Sequence, residues 1–221
     1  EVTGIHVAAQ QLRVMSEVPG DVRDAFSYLV HTTSHGRIVR EEVTYHTRLI
    51  DDIPIYSATL TAEVALEEGV RDPGFRVDLT TVPPAHTFRD GERVALEITA
   101  SRRSYLTILN LRSDGSVGLV FPNRYEDDSR VEAGETVQVP NRTHGFEIRV
   151  ALEEGRRHDR EQILVIATID PVPFQLPNAS DDDELALLDP ADPMLAALNR
   201  WLLLIPVDRR VEALWSYEVV K

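Results

Sequence analysis

The chain has 221 residues, of which 43% are hydrophobic and 27% are charged, and these fractions are ordinary for a folded globular protein. Its net charge of −14 argues against nucleic acid or anionic lipid as a partner, because both require a basic surface. The chain contains no cysteine, which excludes disulfide bonds, thiolate nucleophiles and cysteine-ligated metals.

A helix is predicted before the first long strand. Apolar residues recur at helical spacing between residues 21 and 34, Asp21 is a favourable N-cap, and Gly36 suits the position after the last turn. The apolar face of this predicted helix consists of Val22, Ala25, Phe26, Leu29 and Val30.

The period of the apolar residues then changes to two, which predicts strands. Two long strands are predicted over 37–46 and 53–66, with an acidic turn at Asp51 and Asp52, and a third is predicted over 75–81. On the second strand, alternate residues form a set that is apolar throughout, so one face should be buried. That set is Tyr56, Ala58, Leu60, Ala62, Val64 and Leu66.

The best candidate for a domain boundary lies at 81–92, where two adjacent prolines are followed by an Asp-Gly pair. We therefore expect an N-terminal α/β region at 1–82 and a second domain at 83–221. In the second domain, short strand patterns recur at close intervals with turn signals between them, which is typical of a sandwich or a partly open barrel. These patterns cover 93–99, 105–111, 116–121, 136–140, 146–152 and 162–168.

The stretch YLTILNLRSDGSVGLVFPN at 105–123 predicts a β-hairpin. Asp114 and Gly115 suit a tight reversal, because glycine adopts positive φ without a Cβ clash. The hairpin is expected to build the core, and a binding role for its final Phe-Pro-Asn is the alternative.

Details of the second strand of this hairpin follow from its alternation. Leu119 and Phe121 should share one face, with Val120 on the other. Pro122 cannot donate to a strand ladder, so the strand should end before it. The side chain of Asn123 should then cap the exit turn.

The C-terminal part of the sequence predicts a helix and a closing strand. After an acidic, turn-rich stretch at 178–193, Pro193 suits the first helical position, Asp192 suits the N-cap, and Pro206 ends the helix. The closing strand is predicted over 214–220. The predicted fold class is α+β, with a small N-terminal α/β region, a mainly antiparallel β-sandwich-like domain, and one or two C-terminal helices. The apolar face of the predicted helix consists of Leu195, Leu198, Trp201, Leu202 and Ile205.

Candidate metal ligands are few and poorly spaced. His31 and His35 are four residues apart, but a zinc site also needs a third ligand, and the residues between them are Thr-Thr-Ser. The acidic runs at 126–128 and 181–184 lack the alternating ligands and central glycine of a calcium loop. We therefore expect no metal and no cofactor.

Catalytic motifs are also lacking in the sequence. No serine lies in a Gly-x-Ser-x-Gly elbow, and there is no phosphate-binding glycine loop. The charged run EGRRHDRE at 154–161 could grip an acidic partner, although a charged hairpin tip is the favoured interpretation. The prediction is that the chain is not an enzyme, and no catalytic, cofactor-binding or metal-binding residue is assigned.

Four pieces of sequence occur in the order expected for one bacterial family: the stretch at 105–123, VEAGETVQVP at 131–140, GFEIRVAL at 145–152 and EQILVIAT at 161–168. Together they resemble the domain of unknown function 4384. The resemblance implies a β-rich, sandwich-like accessory module of bacterial envelope and extracytoplasmic proteins, and it brings no catalytic residues with it. The N-terminal region is similar to small α/β domains of envelope lipoproteins.

The predicted function is a non-catalytic interaction or assembly module of the cell envelope, periplasmic or otherwise extracytoplasmic, with a protein partner. A hydrolase with a dispersed active site and a calcium-stabilised ligand-binding module are the alternatives. No membrane insertion is expected, since no apolar run is long enough, and any export signal or lipid anchor would have been lost with residues before Glu1. The sequence assigns no oligomeric state. A deep pocket with converging titratable groups would favour the enzyme, whereas an exposed apolar patch or strand edge would favour the module.

Overall fold

The structure is a computed structural model that describes residues 36–50, 53–113, 117–141, 145–174 and 194–221. Within these ranges the chain is mostly β-strand and contains one helix, α1 (Met194–Leu203). The strands are β1 (Gly36–Ile50), β2 (Ile53–Leu66), β3 (Val77–Val82), β4 (Thr87–Arg89), β5 (Arg93–Ala100), β6 (Ser104–Leu111), β7 (Val117–Phe121), β8 (Arg130–Val131), β9 (Thr136–Val139), β10 (Ile148–Arg149), β11 (His158–Thr168) and β12 (Arg210–Val220).

Two sheets pack face to face. A four-stranded sheet has β5 at its centre, with β3 on one side and β9 and β10 on the other, and a six-stranded sheet has the order β4-β12-β11-β6-β7 with β8 beside β6. The described pairings are antiparallel except that of β4 with β12, so the predicted mainly antiparallel, β-rich architecture is confirmed. The described residues are all-β apart from α1, and the N-terminal helix predicted at 21–34, on which the finer α+β class depends, is not among them.

The main core lies between the two sheets. Leu96 and Ile98 of β5 are at most 1% exposed and belong to the same buried cluster as Ile108 of β6 and Val165 of β11. Each such side chain contributes about 1.5–3 kcal/mol when it leaves water. This cluster holds the two sheets together.

The helix α1 forms a further layer on the outer face of the six-stranded sheet. Its apolar face is buried in a second cluster with Leu164 and Ile166 of β11. The predicted amphipathic helix is therefore confirmed at its described positions, and it ends before Pro206 as expected. Because both faces of β11 are covered from Ile163 onward, residues 163–167 form a continuous apolar run that does not alternate. The buried residues on this side of α1 and just beyond it are Leu198, Trp201, Leu202 and Ile205.

A β-bulge in β7 changes the predicted orientation of its side chains. Ile108 pairs with Phe121 but Leu109 pairs with Leu119, so Val120 is an extra residue on β7. Val120 and Phe121 both pack in the core between the sheets, whereas Leu119 packs toward α1. The prediction that Leu119 and Phe121 share a face is therefore wrong, because one inserted residue reverses the alternation.

The exit from β7 follows the sequence prediction. The strand ends at Phe121, directly before Pro122. The Asn123 Oδ1 atom accepts hydrogen bonds from the backbone N–H groups of Tyr125 at 2.8 Å and Glu126 at 3.0 Å. Its Nδ2 atom donates to the carbonyl oxygen of Val120 at 2.7 Å, so the predicted cap is confirmed. The tight turn predicted at 114–115 lies outside the described residues.

The hairpin of β1 and β2 is paired from Ile50 and Ile53 at its tip to Gly36 and Leu66 at its base, with one register shift between Ile38 and Arg40. Both predicted strands are confirmed, and β1 runs four residues further than predicted, to Ile50. The predicted burial of one face is not observed where side chains are described, since Val64 is 38% and Leu66 is 72% exposed. Both side chains are therefore in contact with solvent, although α1 contacts β1 of the same hairpin.

The sandwich begins before the predicted domain boundary at residue 82. β3 pairs with β5 over six positions, from Val77 with Ala100 to Val82 with Ala95. The adjacent prolines at 83–84 connect β3 in one sheet to β4 in the other. Proline suits such a connection because no ladder hydrogen bond is required there.

Candidate protein-binding surface

Four charged side chains, three of them at most 4% exposed, connect the base of the β1–β2 hairpin to the sandwich. Arg37 donates to Glu67 through Nε at 2.6 Å and to Glu212 of β12. Arg210 donates to the same carboxylate of Glu67, and through Nε to Glu212 at 3.0 Å. Two cations and two carboxylates balance, so each charge has a partner in a place that is mostly shielded from water. We call this set the anchor cluster; it joins elements and leaves no charge free for a ligand.

The anchor cluster also fixes the end of α1. Arg210 donates through Nη1 to the carbonyl oxygens of Leu202, at 2.8 Å, and Ile205. A cation is favourable at this end of a helix, where carbonyl groups lack partners within the helix. Val207 N then donates to Glu68 O at 2.8 Å, which ties the segment after α1 to the segment after β2.

A second polar group closes one end of the core between the sheets. Glu161 of β11 is 2% exposed and accepts hydrogen bonds from Tyr217 Oη at 2.5 Å and from Asn110 Nδ2 at 3.0 Å. Arg112 lies 3.8 Å from its other carboxylate oxygen. Burial, with the Glu161 carboxylate beside it, raises the pKa of Tyr217 above its usual range. Tyr217 therefore stays protonated and acts as a hydrogen-bond donor.

Asp159, two residues earlier on β11, is equally buried and equally well bonded. It accepts hydrogen bonds from the backbone N–H of Glu153 at 2.8 Å, from Arg156 at 2.8 Å and from Ser113 at 3.0 Å. Burial alone would raise the pKa of Asp159, but these donors outweigh it and hold the pKa below its ordinary value. Its acceptor sites are occupied by protein groups, which is typical of a structural carboxylate.

The groove beside β5, where the chain passes from β9 to β10, has a volume of about 520 Å³. Val94 and Phe146 are among its apolar lining residues, and its charged residues are Arg93 and Glu147. These two charges pair with each other at 2.8 Å in a solvent-exposed position. Glu161 does not line the groove, so this opening brings no converging titratable groups to a substrate.

The edges of the two sheets differ in how they are protected against further pairing. β4 has only three residues, β7 carries a bulge and stops at a proline, and Pro140 interrupts the edge made by β9 and β10. These features are typical of edges that resist strand addition. β3 has six residues, contains no proline and keeps an unbroken register with β5. Among the described strands of the sandwich, β3 is therefore the edge best suited to accept another strand.

On the face of β3 that points away from the core, the side chains in the middle of the strand are exposed to solvent. Val77 and Thr81 are buried and hold the strand on the core, whereas Asp78 and Thr80 are exposed. An extended segment could pair with the β3 backbone without displacing any core side chain.

Several sequence candidates lie away from this edge or outside the described residues. His31, His35 and the acidic run at 181–184 are outside them. The run at 126–128 lies in the exit turn of β7, where the Glu126 carboxylate accepts a hydrogen bond from Asn141 N at 3.3 Å. Within the described ranges, no three His, Asp or Glu side chains gather as a metal site.

The charged run at 154–161 is only partly a hairpin tip. β11 begins at His158, so Asp159 and Glu161 lie on the strand and point into the protein. Sequence reasoning missed both carboxylates. Their spacing could have revealed them. Both residues lie an even number of positions before Ile163 and Val165, which face the core, so all four side chains point to the same side of the strand.

A family model described as Domain of unknown function (DUF4384) matches residues 87–171. The matched segment runs from β4 through β11 and so includes most of the sandwich, but it excludes β3, β12 and α1. No curated protein matches the chain. No helix in the described part of the chain is long and apolar enough to cross a membrane.

Proposed function

Residues 87–171 belong to the DUF4384 family, and from this premise we propose that the chain is a non-catalytic protein-binding module of the bacterial cell envelope. The envelope location is supported by the resemblance of the sequence to extracytoplasmic accessory modules. The acidic net charge of −14 also favours a protein partner over nucleic acid.

The observation that carries the proposal is the open edge of β3. Strand addition uses backbone N–H and C=O groups, so it requires no special side-chain motif in the acceptor strand. A chain that binds in this way has few recognisable site residues, and no catalytic constellation stands out in this sequence. The partner is an extended segment that pairs with Val77–Val82 and extends the four-stranded sheet.

The arrangement of the buried carboxylates supports a non-catalytic role. Asp159 and Glu161 are each held by protein donors, and neither lines the groove beside β5. A general acid or base must come within hydrogen-bond reach of a substrate. These two groups support the sandwich from inside.

The test compares two photo-reactive probes on the four-stranded sheet. One replaces Thr80 on the open edge, and the matched control replaces Thr136, which is also exposed, on β9 at the opposite side. Each labelled protein is irradiated in an envelope extract of the source bacterium. We expect one distinct protein to be cross-linked from position 80 and not from position 136.

Cross-linking that is absent at position 80, or equal at both positions, contradicts binding at β3. A hydrolase screen runs in parallel with the wild-type protein and with Glu161→Gln. Turnover of any substrate that is lost in Glu161→Gln, without a cross-linked partner, would favour the enzyme.

A further inference from the structure

The face of the four-stranded sheet that points away from the core changes from polar to apolar along β3. Asp78, Thr80 and Val82 alternate with the residues that face the core, so their side chains share this outward face. Across the sheet, the register places Glu97 beside Thr80 and Ala95 beside Val82. We call each line of neighbouring side chains a row. The outward face therefore has two polar rows, at Asp78 and Thr80, followed by an apolar row at Val82.

The apolar row opens into the groove beside β5. Val82 and Ala95 line that groove together with Pro140 and Phe146, and the two charged lining residues pair with each other. Neighbouring strands lie about 4.8 Å apart, so a large side chain on a strand added at β3 can extend across Val82 into the groove. The chemistry of the lining suits an apolar side chain at that position.

The two polar rows carry negative charge. Asp78 is exposed and Glu97 is half-buried, and neither forms an ion pair within the part of the chain that the structure describes. Arg76, two residues before Asp78, donates instead to Pro73 O at 3.2 Å. A basic side chain on an added strand would lie beside Asp78, and a second one could extend over the small side chain of Thr80 toward Glu97. The net charge of −14 also favours a basic segment.

The backbone groups that would receive the added strand follow from the register of β3. Ser101 N donates to Arg76 O at 2.8 Å, and residues that bond to the same neighbour alternate along an antiparallel strand. The N–H and C=O groups of Val77, Leu79 and Thr81 therefore point toward the open edge. A strand that bonds to them has alternate side chains in line with the three rows of the outward face.

We propose that the segment bound at β3 has basic side chains in the rows of Asp78 and Thr80 and a large apolar side chain in the row of Val82. This inference rests on the function proposed above and adds the chemistry of the partner. Backbone pairing provides the attachment, whereas the acidic rows and the groove select the sequence and fix its register.

Synthetic peptides test this pattern on the full chain. One matched peptide contains Lys-Thr-Lys-Thr-Phe and a second contains the reverse order, so both strand directions are covered. The control peptides contain Lys-Thr-Lys-Phe-Thr and its reverse, which keep the composition but move Phe to the opposite face of the strand. A further version of each matched peptide has methylated backbone nitrogens, which removes the donors for strand pairing and keeps the side chains. Fluorescence anisotropy measures each Kd.

We expect the matched peptide of one direction to bind about tenfold more tightly than its control, because only the matched peptide buries Phe in the groove. Methylation should abolish this binding. Asp78→Lys should weaken the matched peptide by about tenfold and should strengthen a peptide in which both lysines are replaced by glutamate. A misfolded variant cannot produce this exchange of preference. Thr136→Lys, at an exposed position on β9, is the matched control and should leave both affinities unchanged.

Equal binding of the matched and control peptides, or a preference unchanged in Asp78→Lys, overturns the proposed chemistry. Strand addition itself stands in that case if methylation still abolishes binding. Binding that survives methylation overturns strand addition at β3 and this inference with it. If neither matched peptide binds, the pattern is wrong, and cross-linking from position 80 decides separately whether the edge binds a partner. A dimer of the chain that Asp78→Lys dissociates also overturns the pattern and identifies a second copy as the occupant.

Discussion

At the scale of single residues, the charged side chains of this protein divide by burial. Exposed pairs such as Arg93 with Glu147 join neighbours in water, where an ion pair contributes little to stability. Asp159 and Glu161 lie inside one end of the sandwich, where a missing donor would leave an unsolvated carboxylate. Each of these two carboxylates therefore depends on at least one donor from a distant part of the chain, Ser113 for Asp159 and Tyr217 for Glu161.

Asp159→Asn should remove a pH-dependent contribution to stability. An aspartate in the unfolded chain has a pKa of about 3.9, and the pKa of Asp159 in the folded protein is lower. The contribution of Asp159 to stability is therefore fully present above the unfolded-state pKa. It is lost as the pH falls through the folded-state pKa. The difference in free energy of unfolding between wild type and Asp159→Asn should be constant near neutral pH and shrink in acid. Urea denaturation from neutral to acidic pH measures this difference. A stability difference that grows in acid would contradict the lowered pKa of Asp159. Asp78→Asn, at an exposed position, is the control.

Gly91→Ala should destabilise the fold by about 1–2 kcal/mol, because alanine resists left-handed backbone. Gly91 has φ = +77° in the turn between β4 and β5, and nothing lies within 4 Å of a Cβ added there, so the cost is conformational only. Gly145→Ala is the control, since its added Cβ also meets nothing and its φ is not left-handed. Thermal unfolding compares the two variants. Equal melting temperatures of the two variants would show that the backbone of this turn changes conformation at no cost in stability.

At the scale of elements, β7 of the β6–β7 hairpin contributes side chains to two different hydrophobic clusters. The bulge at Val120 lets the early part of β7 face α1 and its end face the other sheet. The turn at Asn123 then closes the strand with three hydrogen bonds from one side chain. The bulge and the cap together direct Phe121 into the core.

Asn123→Ala removes all three of these hydrogen bonds and should cost about 1–3 kcal/mol, because one hydrogen bond contributes about 0.5–1.5 kcal/mol and the partly exposed partners can bond to water instead. Asn123→Asp keeps the acceptor for the two backbone N–H groups and loses only the donor to Val120 O. Its loss of stability should therefore be smaller than that of the alanine variant. Chemical denaturation of both variants checks this order, and the reverse order would mean that the Val120 contact dominates.

The elements that could be predicted from sequence are those set by local chemistry. Pro122 ends β7, Asn123 caps its exit, and Leu198 and Trp201 mark the buried face of α1. The bulge at Val120 could not be predicted, because it depends on which residue of β6 each residue of β7 opposes. The inward direction of Glu161 was missed for a similar reason, since its donors Tyr217 and Asn110 are distant in sequence.

At the scale of the whole molecule, the hairpin and the sandwich are joined through the anchor cluster. Arg37 and Arg210 both reach Glu67, and Arg210 also holds the end of α1. Two sheets and a helix therefore meet at one buried carboxylate. The pairing of β3 with β5 on the other side of residue 82 could not be predicted from local signals, because adjacent prolines can separate two strands of one sandwich as well as two domains.

Glu67→Ala should destabilise the protein by about 3–5 kcal/mol, since it leaves two buried guanidinium groups with Glu212 as their single carboxylate partner in the anchor cluster. Glu63→Ala, at an exposed position on β2 four residues earlier, should change stability by less than about 0.5 kcal/mol. Urea denaturation measures both effects. Amide exchange at the base of β1 and β2 should also accelerate in Glu67→Ala, and unchanged exchange there would show that the hairpin is held by other contacts.

The position of β12 also determines the order in which the sandwich can be completed. β12 lies between β4 and β11, and its residue Glu218 pairs with Thr87, so strands that are neighbours in the sheet are far apart in the chain. During synthesis, β4 and β11 leave the ribosome long before their common neighbour does. Until β12 has been synthesised, the edge of β11 that will pair with it has no partner strand. Pairing between strands far apart in sequence is slow, and the unpaired edge can meanwhile aggregate or bind chaperones.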